Sequence, residues 1–120
     1  MPTCLVIDDV MVTCFAARTF LEDLGFDVIE ASDGDAALVE LERNNVDVLL
    51  LDWHLKKKSG LELLGVIRNK YGNRIKVVVF SGVEGADKVS EAISAGADGF
   101  ISKPTTKEKI ETEFIKIGMI

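Results

Sequence analysis

The segment VDVLLLDWHL, residues 46–55, decides the fold of this chain. Five of its first six residues are apolar, and a near-continuous apolar run of this kind is typical of a strand that is buried on both faces of a parallel sheet. The run leads directly into Asp52, an acid that burial alone does not explain. The segment therefore predicts a buried parallel strand that ends on a functional carboxylate.

The rest of the chain alternates between short apolar runs and helix-like patterns. Five strand–helix units of this kind predict a parallel sheet with helices on both faces. Because crossovers are right-handed, we expect a three-layer α/β/α, doubly wound, flavodoxin-like fold with five helices and five strands in the order 2-1-3-4-5. Besides 46–51, strands are predicted at 3–7, 27–31, 75–80 and 98–102, and helices at 11–24, 33–43, 60–70, from the turn at 81–87 to Gly96, and at 106–118.

Length and composition limit the class of protein. The 120 residues predict a single domain over 1–120 with no output domain, unless the chain is an excised piece of a larger protein. A net charge of −6 argues against direct binding of nucleic acid. Since no apolar run approaches the roughly 20 residues that span a bilayer and no secretory signal is evident, we expect no membrane association and a cytoplasmic location.

Cys4 and Cys14 match no spacing of metal ligands, and we expect both to be core residues.

Polar residues stand where four of the predicted strands end. Asp8 and Asp9 follow the first strand, Asp52 ends the third, Ser81 ends the fourth and Lys103 follows the fifth. In a doubly wound sheet these ends meet at the ligand-binding edge, so the three carboxylates should converge. Their mutual repulsion calls for a hard divalent cation such as Mg2+, with Lys103 as a further positive charge.

This group of side chains fits the transfer of a phosphoryl group. A metal, a lysine and the Ser81 hydroxyl would neutralise the phosphoryl oxygens, and Gly82 leaves room for close approach. Asp52 is the best acceptor, because an aspartate carboxylate can act as the nucleophile in an acyl-phosphate intermediate. Taken alone, Asp9 is better explained as a helix cap than as a ligand; the combination of residues at four strand ends carries the prediction.

Several segments resemble the receiver domain of two-component response regulators of the chemotaxis type. They are LVIDDV (5–10), LLLDWHL (49–55) with SGLELL (59–64), VVFSG (78–82) and AGADGFISKP (95–104), and the resemblance covers essentially the whole chain. It implies that Asp52 is the phosphoacceptor and that Asp8, Asp9 and the backbone carbonyl of His54 help to bind Mg2+. The donor would be a sensor histidine kinase or a histidine phosphotransfer protein.

The same resemblance implies roles for the residues around the phosphoryl group. Ser81 would hydrogen-bond a phosphoryl oxygen, and Lys103 would pair with it from a cis Lys103–Pro104 peptide. Phe100 would be the switch aromatic, rotating inward when Ser81 moves towards the phosphate. A downstream protein would bind the face of helix 4, strand 5 and helix 5. The chain would be a signalling domain with at most weak self-catalysed phosphotransfer and autodephosphorylation, and a monomer or a weak dimer.

The sequence departs from the family pattern at several positions. Lys56–Lys58 stand where the family usually has a proline, which indicates a solvated loop, a loop of greater mobility or a contact for an acidic partner. Phe100 lacks the hydroxyl of a tyrosine. His54 and Val83 occupy the positions that influence attacking water; since Val83 cannot orient water, we expect slow dephosphorylation. A proton relay through His54 is the alternative.

The first predicted helix carries apolar residues outside its core stripe. At 100° per residue, Ala17, Leu21 and Leu24 share one face with Thr13 and Phe20. Met11 and Phe15 fall on the opposite face, near the acids. We interpret them as a docking patch for the helices of the phosphodonor; isolated exposed apolar residues are the simpler explanation.

Three other functions are open at this point. A flavodoxin-like nucleotide or flavin binder needs a Gly/Ser/Thr-rich turn after the first strand, but residues 8–11 are Asp-Asp-Val-Met, which repel phosphate. A phosphatase-type enzyme with an aspartyl nucleophile usually has an acid two residues after it, where this chain has His54. The chain is also compatible with a receiver module excised from a larger regulator or hybrid kinase.

Overall fold

Five strands alternate with five helices in the described part of the chain. The computed structural model describes residues 1–82 and 86–120, with the side chains of 86–88 excepted. The strands are β1 (Thr3–Ile7), β2 (Asp27–Ala31), β3 (Val48–Asp52), β4 (Lys76–Ser81) and β5 (Gly99–Ser102). The helices are α1 (Met11–Asp23), α2 (Gly34–Arg43), α3 (Gly60–Tyr71), α4 (Ala86–Ser94) and α5 (Lys107–Lys116).

The strands form one parallel sheet in the order β2-β1-β3-β4-β5. β3 lies at its centre, with Leu50 opposite Val6 of β1 and Val78 of β4, and every residue of β3 is buried. The predicted flavodoxin-like order is therefore confirmed. β3 begins two residues later than predicted, because Asp47 instead bonds the start of β1: its N–H donates to the Thr3 carbonyl, and its carboxylate accepts from the Thr3 N–H.

Side chains of the sheet alternate between two cores, one on each face. Leu49 and Leu51 of β3 lie in the core under α2, α3 and α4, and Val48 and Leu50 lie in the core under α1 and α5. Burial of this much apolar surface on both sides is the main stabilising contribution. Because the strands are packed on both faces, the positions of their carboxyl ends are also fixed. The buried helix residues of the two cores include Leu41, Leu63, Leu64, Ile67 and Ala92 on the first face, and Ala17, Leu21, Ile110 and Phe114 on the second.

Helices begin at the edge of the sheet where the strands end. Asp33, Ser59 and Thr106 accept hydrogen bonds from the first turns of α2, α3 and α5 through their side chains. α1 starts after Val10, whose N–H donates to the Asp8 carboxylate at 2.8 Å. The partial positive charge of these helix starts is therefore directed towards the carboxyl edge.

Cys4 and Cys14 are buried, unpaired thiols in the apolar core, as predicted. Burial, followed by the neighbouring Glu30 carboxylate, raises the pKa of the Cys14 thiol to about 12. Neither thiol is therefore activated at neutral pH. Among the described residues, each helix is too short or too polar to cross a lipid bilayer.

Candidate functional site

Three carboxylates converge at the carboxyl edge of the sheet. Asp8 and Asp9 follow β1 directly, and Asp52 is the last residue of β3. The strands are neighbours, with Ile7 opposite Leu51. One carboxylate oxygen of each acid lies within 4.8 Å of those of the other two. The structure thus brings together the acids that the strand order places at one edge; we call them the acid cluster.

Backbone N–H groups hold each acid in place. Asp52 Oδ1 accepts a hydrogen bond from the His54 N–H at 3.0 Å, just as Asp8 Oδ1 accepts from the start of α1. Asp9 Oδ2 accepts from the N–H of Lys56, in the loop after β3, at 3.1 Å. The Asp8 and Asp52 side chains are 0% and 4% exposed. The cluster is therefore preorganised, with a second oxygen of each buried acid directed away from its backbone donor.

Lys103 closes the acid cluster from the β5 side. Its Nζ lies 3.5 Å from Asp8 Oδ2 and 3.6 Å from Asp52 Oδ2. The ammonium also lies 4.9 Å from the centre of the Phe80 ring, in a cation–π contact. The Lys103 N–H donates to the Ser81 carbonyl at 2.9 Å, and the Lys103–Pro104 peptide is cis, as predicted. Lys103 therefore faces the same carboxylate oxygens that a cation would use.

Ser81 and Gly82 complete this edge on the β4 side. Ser81 is the last residue of β4 and is fully buried. Among the atoms that the structure describes, a Cβ built on Gly82 would meet only the Lys103 side-chain stem, at 4.0 Å. The hydroxyl predicted to contact a phosphoryl oxygen thus stands on the strand next to the one that ends on Asp52.

Negative charge exceeds positive charge within the acid cluster. Burial raises the pKa of the Asp8 carboxyl above its ordinary value, and the Asp52 charge adds to this, against the Val10 N–H and Lys103, which lower it. Of the side chains that the structure describes, only the Lys103 ammonium pairs with the acid cluster: it faces Asp8 and Asp52, while Asp9 adds a third carboxylate. Oxygen donors in a negatively charged pocket are what hard divalent cations such as Mg2+ require. The donor set therefore fits the predicted metal.

The residues after Asp52 differ in their surroundings. His54 is exposed at the rim, as predicted, whereas Trp53 is buried in the core under α2, α3 and α4. The Trp53 Nε1–H donates to Glu91 Oε1 of α4 at 2.9 Å. A Cβ on Gly60 would lie 2.7 Å from the Trp53 ring, so only glycine fits there. The hydrogen bond between Trp53 and Glu91 could not be predicted from the sequence, because the two residues are 38 positions apart.

The lysine-rich loop lies against the start of α2. Lys57 Nζ is 3.9 Å from Asp33, and Lys58 Nζ is 3.6 Å from Asp35. Lys57 and Asp35 are largely exposed, so these pairs contribute little to stability. The loop is a solvated one with weak tethers, which is the simplest of the interpretations that the sequence allows.

The α1 patch, which we define as Met11, Val12 and Phe15, lies beside the acid cluster. Met11 is 84% exposed and Phe15 is 65% exposed, so their predicted exposure is confirmed. Met11 lines a cavity of about 280 Å³ together with Asp8 and Asp9. The docking role of this patch stays a prediction.

Phe100 is partly buried and packs against the core under α4. It lines a surface groove of about 310 Å³ between β5 and α5, together with Glu108 and Lys109. Its switch role stays a prediction, as does the binding of Mg2+ by the His54 carbonyl. Val83 lies outside the described residues.

Comparisons with known proteins agree on one family. The model of the response regulator receiver domain matches residues 4–115. The chain is 34% identical to the chemotaxis protein CheY of Pseudomonas aeruginosa, over 95% of this chain and 97% of the relative.

Two solved structures share the fold closely. CheY in the CheX–CheY–BeF3–Mg2+ complex from Borrelia burgdorferi has a TM-score of 0.91 at 25% identity, covering 98% of this chain and 89% of that one. A Burkholderia pseudomallei response regulator with a phosphorylated aspartic acid, a calcium ion and citrate has a TM-score of 0.85 at 27% identity, covering 94% and 66%. The chain belongs to the response regulator receiver domain family, the CheY-like signalling domains of two-component systems.

Proposed function

We propose that this chain accepts a phosphoryl group on Asp52 from a phosphohistidine donor, in a reaction that depends on Mg2+. The donor is a sensor histidine kinase or a histidine phosphotransfer protein, acting in the cytoplasm. The observation that carries the proposal is the buried Asp52 carboxylate, which lies within 4.8 Å of two further acids and 3.6 Å from the Lys103 ammonium.

Asp8, Asp9 and Asp52, with the His54 carbonyl, are the residues that would hold Mg2+. The bound ion would supply positive charge to the phosphoryl oxygens. The excess of negative charge in the acid cluster supports this assignment, as does the CheY complex from Borrelia burgdorferi, which contains Mg2+.

Asp52 is the acceptor because of its place between the other groups. Asp8 and Asp9 flank it on the β1 side, and Ser81 lies on the β4 side. An Asp52 oxygen attacks phosphorus, the bond from phosphorus to the donor imidazole breaks, and the imidazole leaves. Lys103 and the Ser81 hydroxyl would bind the phosphoryl oxygens. The phosphorylated aspartic acid of the Burkholderia pseudomallei relative supports an aspartyl acceptor.

The remaining roles concern partners and the lifetime of the modification. Phe100 and the face formed by α4, β5 and α5 would bind a downstream protein according to the state of Asp52, and the same face would form any weak dimer. His54 and Val83 would limit attack by water, so that self-catalysed dephosphorylation is slow. Comparing decay rates of the phosphorylated form in Val83→Glu and His54→Asn variants tests this; unchanged rates would count against it.

Incubation with acetyl phosphate and Mg2+, followed by intact mass, tests the acceptor assignment. We expect one phosphoryl adduct that is absent in Asp52→Asn and after chelation of the metal. Asp35→Asn is the matched control, since Asp35 is an exposed acid outside the acid cluster, and it should be modified like the wild type. An adduct that persists in Asp52→Asn, or a wild-type chain that gains none, would refute the proposal.

The α1 patch is tested with two donors of different size. Phe15→Ala should slow transfer from a phosphorylated histidine kinase and leave modification by acetyl phosphate unchanged, because the small donor needs no docking surface. Val39→Ala on α2 is the control, an exposed apolar residue outside the patch. Equal transfer rates for Phe15→Ala and the wild type from the kinase would exclude a docking role.

A further inference from the structure

The ammonium of Lys109 lies against the turn that carries Lys103. Its Nζ donates to the Ser102 carbonyl at 3.1 Å, to the Ser102 hydroxyl at 3.3 Å and to the Pro104 carbonyl at 3.0 Å. An ammonium has three N–H donors, so these three acceptors use all of them. Lys109 is therefore bonded to the residue before Lys103 and to the residue after it.

The main chain of Lys109 is also fixed. Its N–H donates to the Thr106 hydroxyl, the N-cap of α5, at 3.2 Å. The next residue, Ile110, is fully buried in the core under α1 and α5. The side chain thus connects a rigid helix start to the turn.

Lys109 carries its positive charge at an unfavourable place in the helix. It is the third residue of α5, in the first turn, where the helix macrodipole favours acids and disfavours positive charge. An ammonium that turns back onto carbonyl oxygens beyond the helix is compensated by those contacts. A residue that breaks a local preference and is compensated in this way marks a functional constraint more often than an accident.

We propose that Lys109 is a positioning residue that holds the turn 102–104 so that the Lys103 ammonium reaches Asp8 and Asp52. Lys103 has a long flexible stem, and its contacts at 3.5 and 3.6 Å depend on where its backbone is anchored. The anchor on the β4 side is the bond from the Lys103 N–H to the Ser81 carbonyl. Lys109 supplies the anchor on the α5 side. The consequence for phosphoryl transfer rests on the proposed function.

Amide hydrogen exchange of the metal-free, unmodified protein tests the hold on the turn. In Lys109→Ala we expect the Lys103 amide to exchange about 10-fold faster, as loss of charge-assisted hydrogen bonds implies. The Phe80 amide in β4 should be unchanged. Lys116→Ala is the control, since Lys116 lies in the same helix and pairs with Glu113 at the surface. Wild-type protection of Lys103 in Lys109→Ala would overturn the proposal.

A double-mutant cycle tests whether Lys109 acts through Lys103. With acetyl phosphate and saturating Mg2+, Lys109→Ala should lower the rate of Asp52 modification by about 10-fold, as misplacement of a catalytic group does. In a Lys103→Ala background the same substitution should have no further effect. An equal loss in both backgrounds, or no loss in either, would show that Lys109 does not position Lys103.

The proposed function and the positioning role of Lys109 can be refuted independently. If the wild-type chain gains no adduct, the proposed function is wrong, while hydrogen exchange still decides whether Lys109 holds the turn. If the wild type is modified and the cycle shows no dependence on Lys103, only the positioning role is wrong.

Discussion

The two edges of the sheet hold their charged side chains in opposite arrangements. At the amino edge, the Arg68 guanidinium donates to the carbonyls of Gly96, Gly72 and Ile75 and to the Asp98 carboxylate, at distances of 2.7 to 2.9 Å. These contacts use all five of its N–H groups. At the carboxyl edge, the Lys103 ammonium lies 3.5 Å from Asp8 and 3.6 Å from Asp52, and Asp9 adds a third carboxylate beside them.

This difference between the two edges distinguishes a structural ion pair, at the amino edge, from a candidate binding site, at the carboxyl edge. A cation whose donors are all used joins β4, β5 and α3 and leaves nothing for a ligand to satisfy. Carboxylates that outnumber the neighbouring cation leave a charge that folding alone has not compensated. We therefore expect a divalent cation to complete the acid cluster, whereas the Arg68 network is complete already.

Removing the Arg68 guanidinium from the amino edge should have the largest effect on stability. In Arg68→Met, the Asp98 carboxylate loses its cation and three carbonyls lose a donor, so we expect the free energy of unfolding to fall by about 3 kcal/mol. Urea unfolding measures this. Lys70→Met on the same helix is the control, because its pair with Glu42 is exposed; it should cause no measurable loss. A similar result for both variants would mean that Arg68 is not the structural cation described.

Removing one acid from the acid cluster should raise the free energy of unfolding rather than lower it. Without metal, Asp8→Asn should raise the free energy of unfolding by about 1 kcal/mol, because it relieves repulsion with Asp52 while the amide oxygen still accepts from Val10. Urea unfolding in the presence of a chelator measures this. A loss of stability would show that the ionised Asp8 is already compensated in the metal-free protein.

The smallest effect is the pH dependence of that difference. The folded-state pKa of Asp8 is raised, chiefly by burial, so its ionised form destabilises the fold. This penalty is present above the raised pKa and disappears as the pH falls through it towards the unfolded value. The stability difference between Asp8→Asn and the wild type should therefore shrink as the pH is lowered from neutral towards the ordinary range of carboxyl groups. A difference that grows on acidification would contradict the sign of the shift.

Most of the fold was predictable, because its signals are local. Near-continuous apolar runs identified the strands, and strand order then followed from general rules of connection. The same order predicts that Asp8, Asp52, Ser81 and Lys103 meet at one edge. Topology alone sufficed there, since a residue at the end of a parallel strand has little freedom of position.

The rest depended on contacts between distant residues. The spacing of Leu61, Leu64 and Ile67 predicts three buried residues in α3, but Leu61 is 45% exposed and Leu63 is buried instead. Burial of Trp53 could not be inferred from a position beside a rim residue. The contacts of Lys109 could not be inferred from the helical pattern, because the acceptors of its ammonium lie in the preceding turn.

Urea unfolding at increasing Mg2+ concentration, for the wild type and Asp8→Asn, shows whether a divalent cation completes the acid cluster. A cation that binds only the folded state raises the free energy of unfolding with the logarithm of its concentration above the dissociation constant. We predict this rise for the wild type and a flat response for Asp8→Asn. A flat wild-type response, or the same rise in both proteins, would contradict the assignment of the acid cluster as the site that Mg2+ completes.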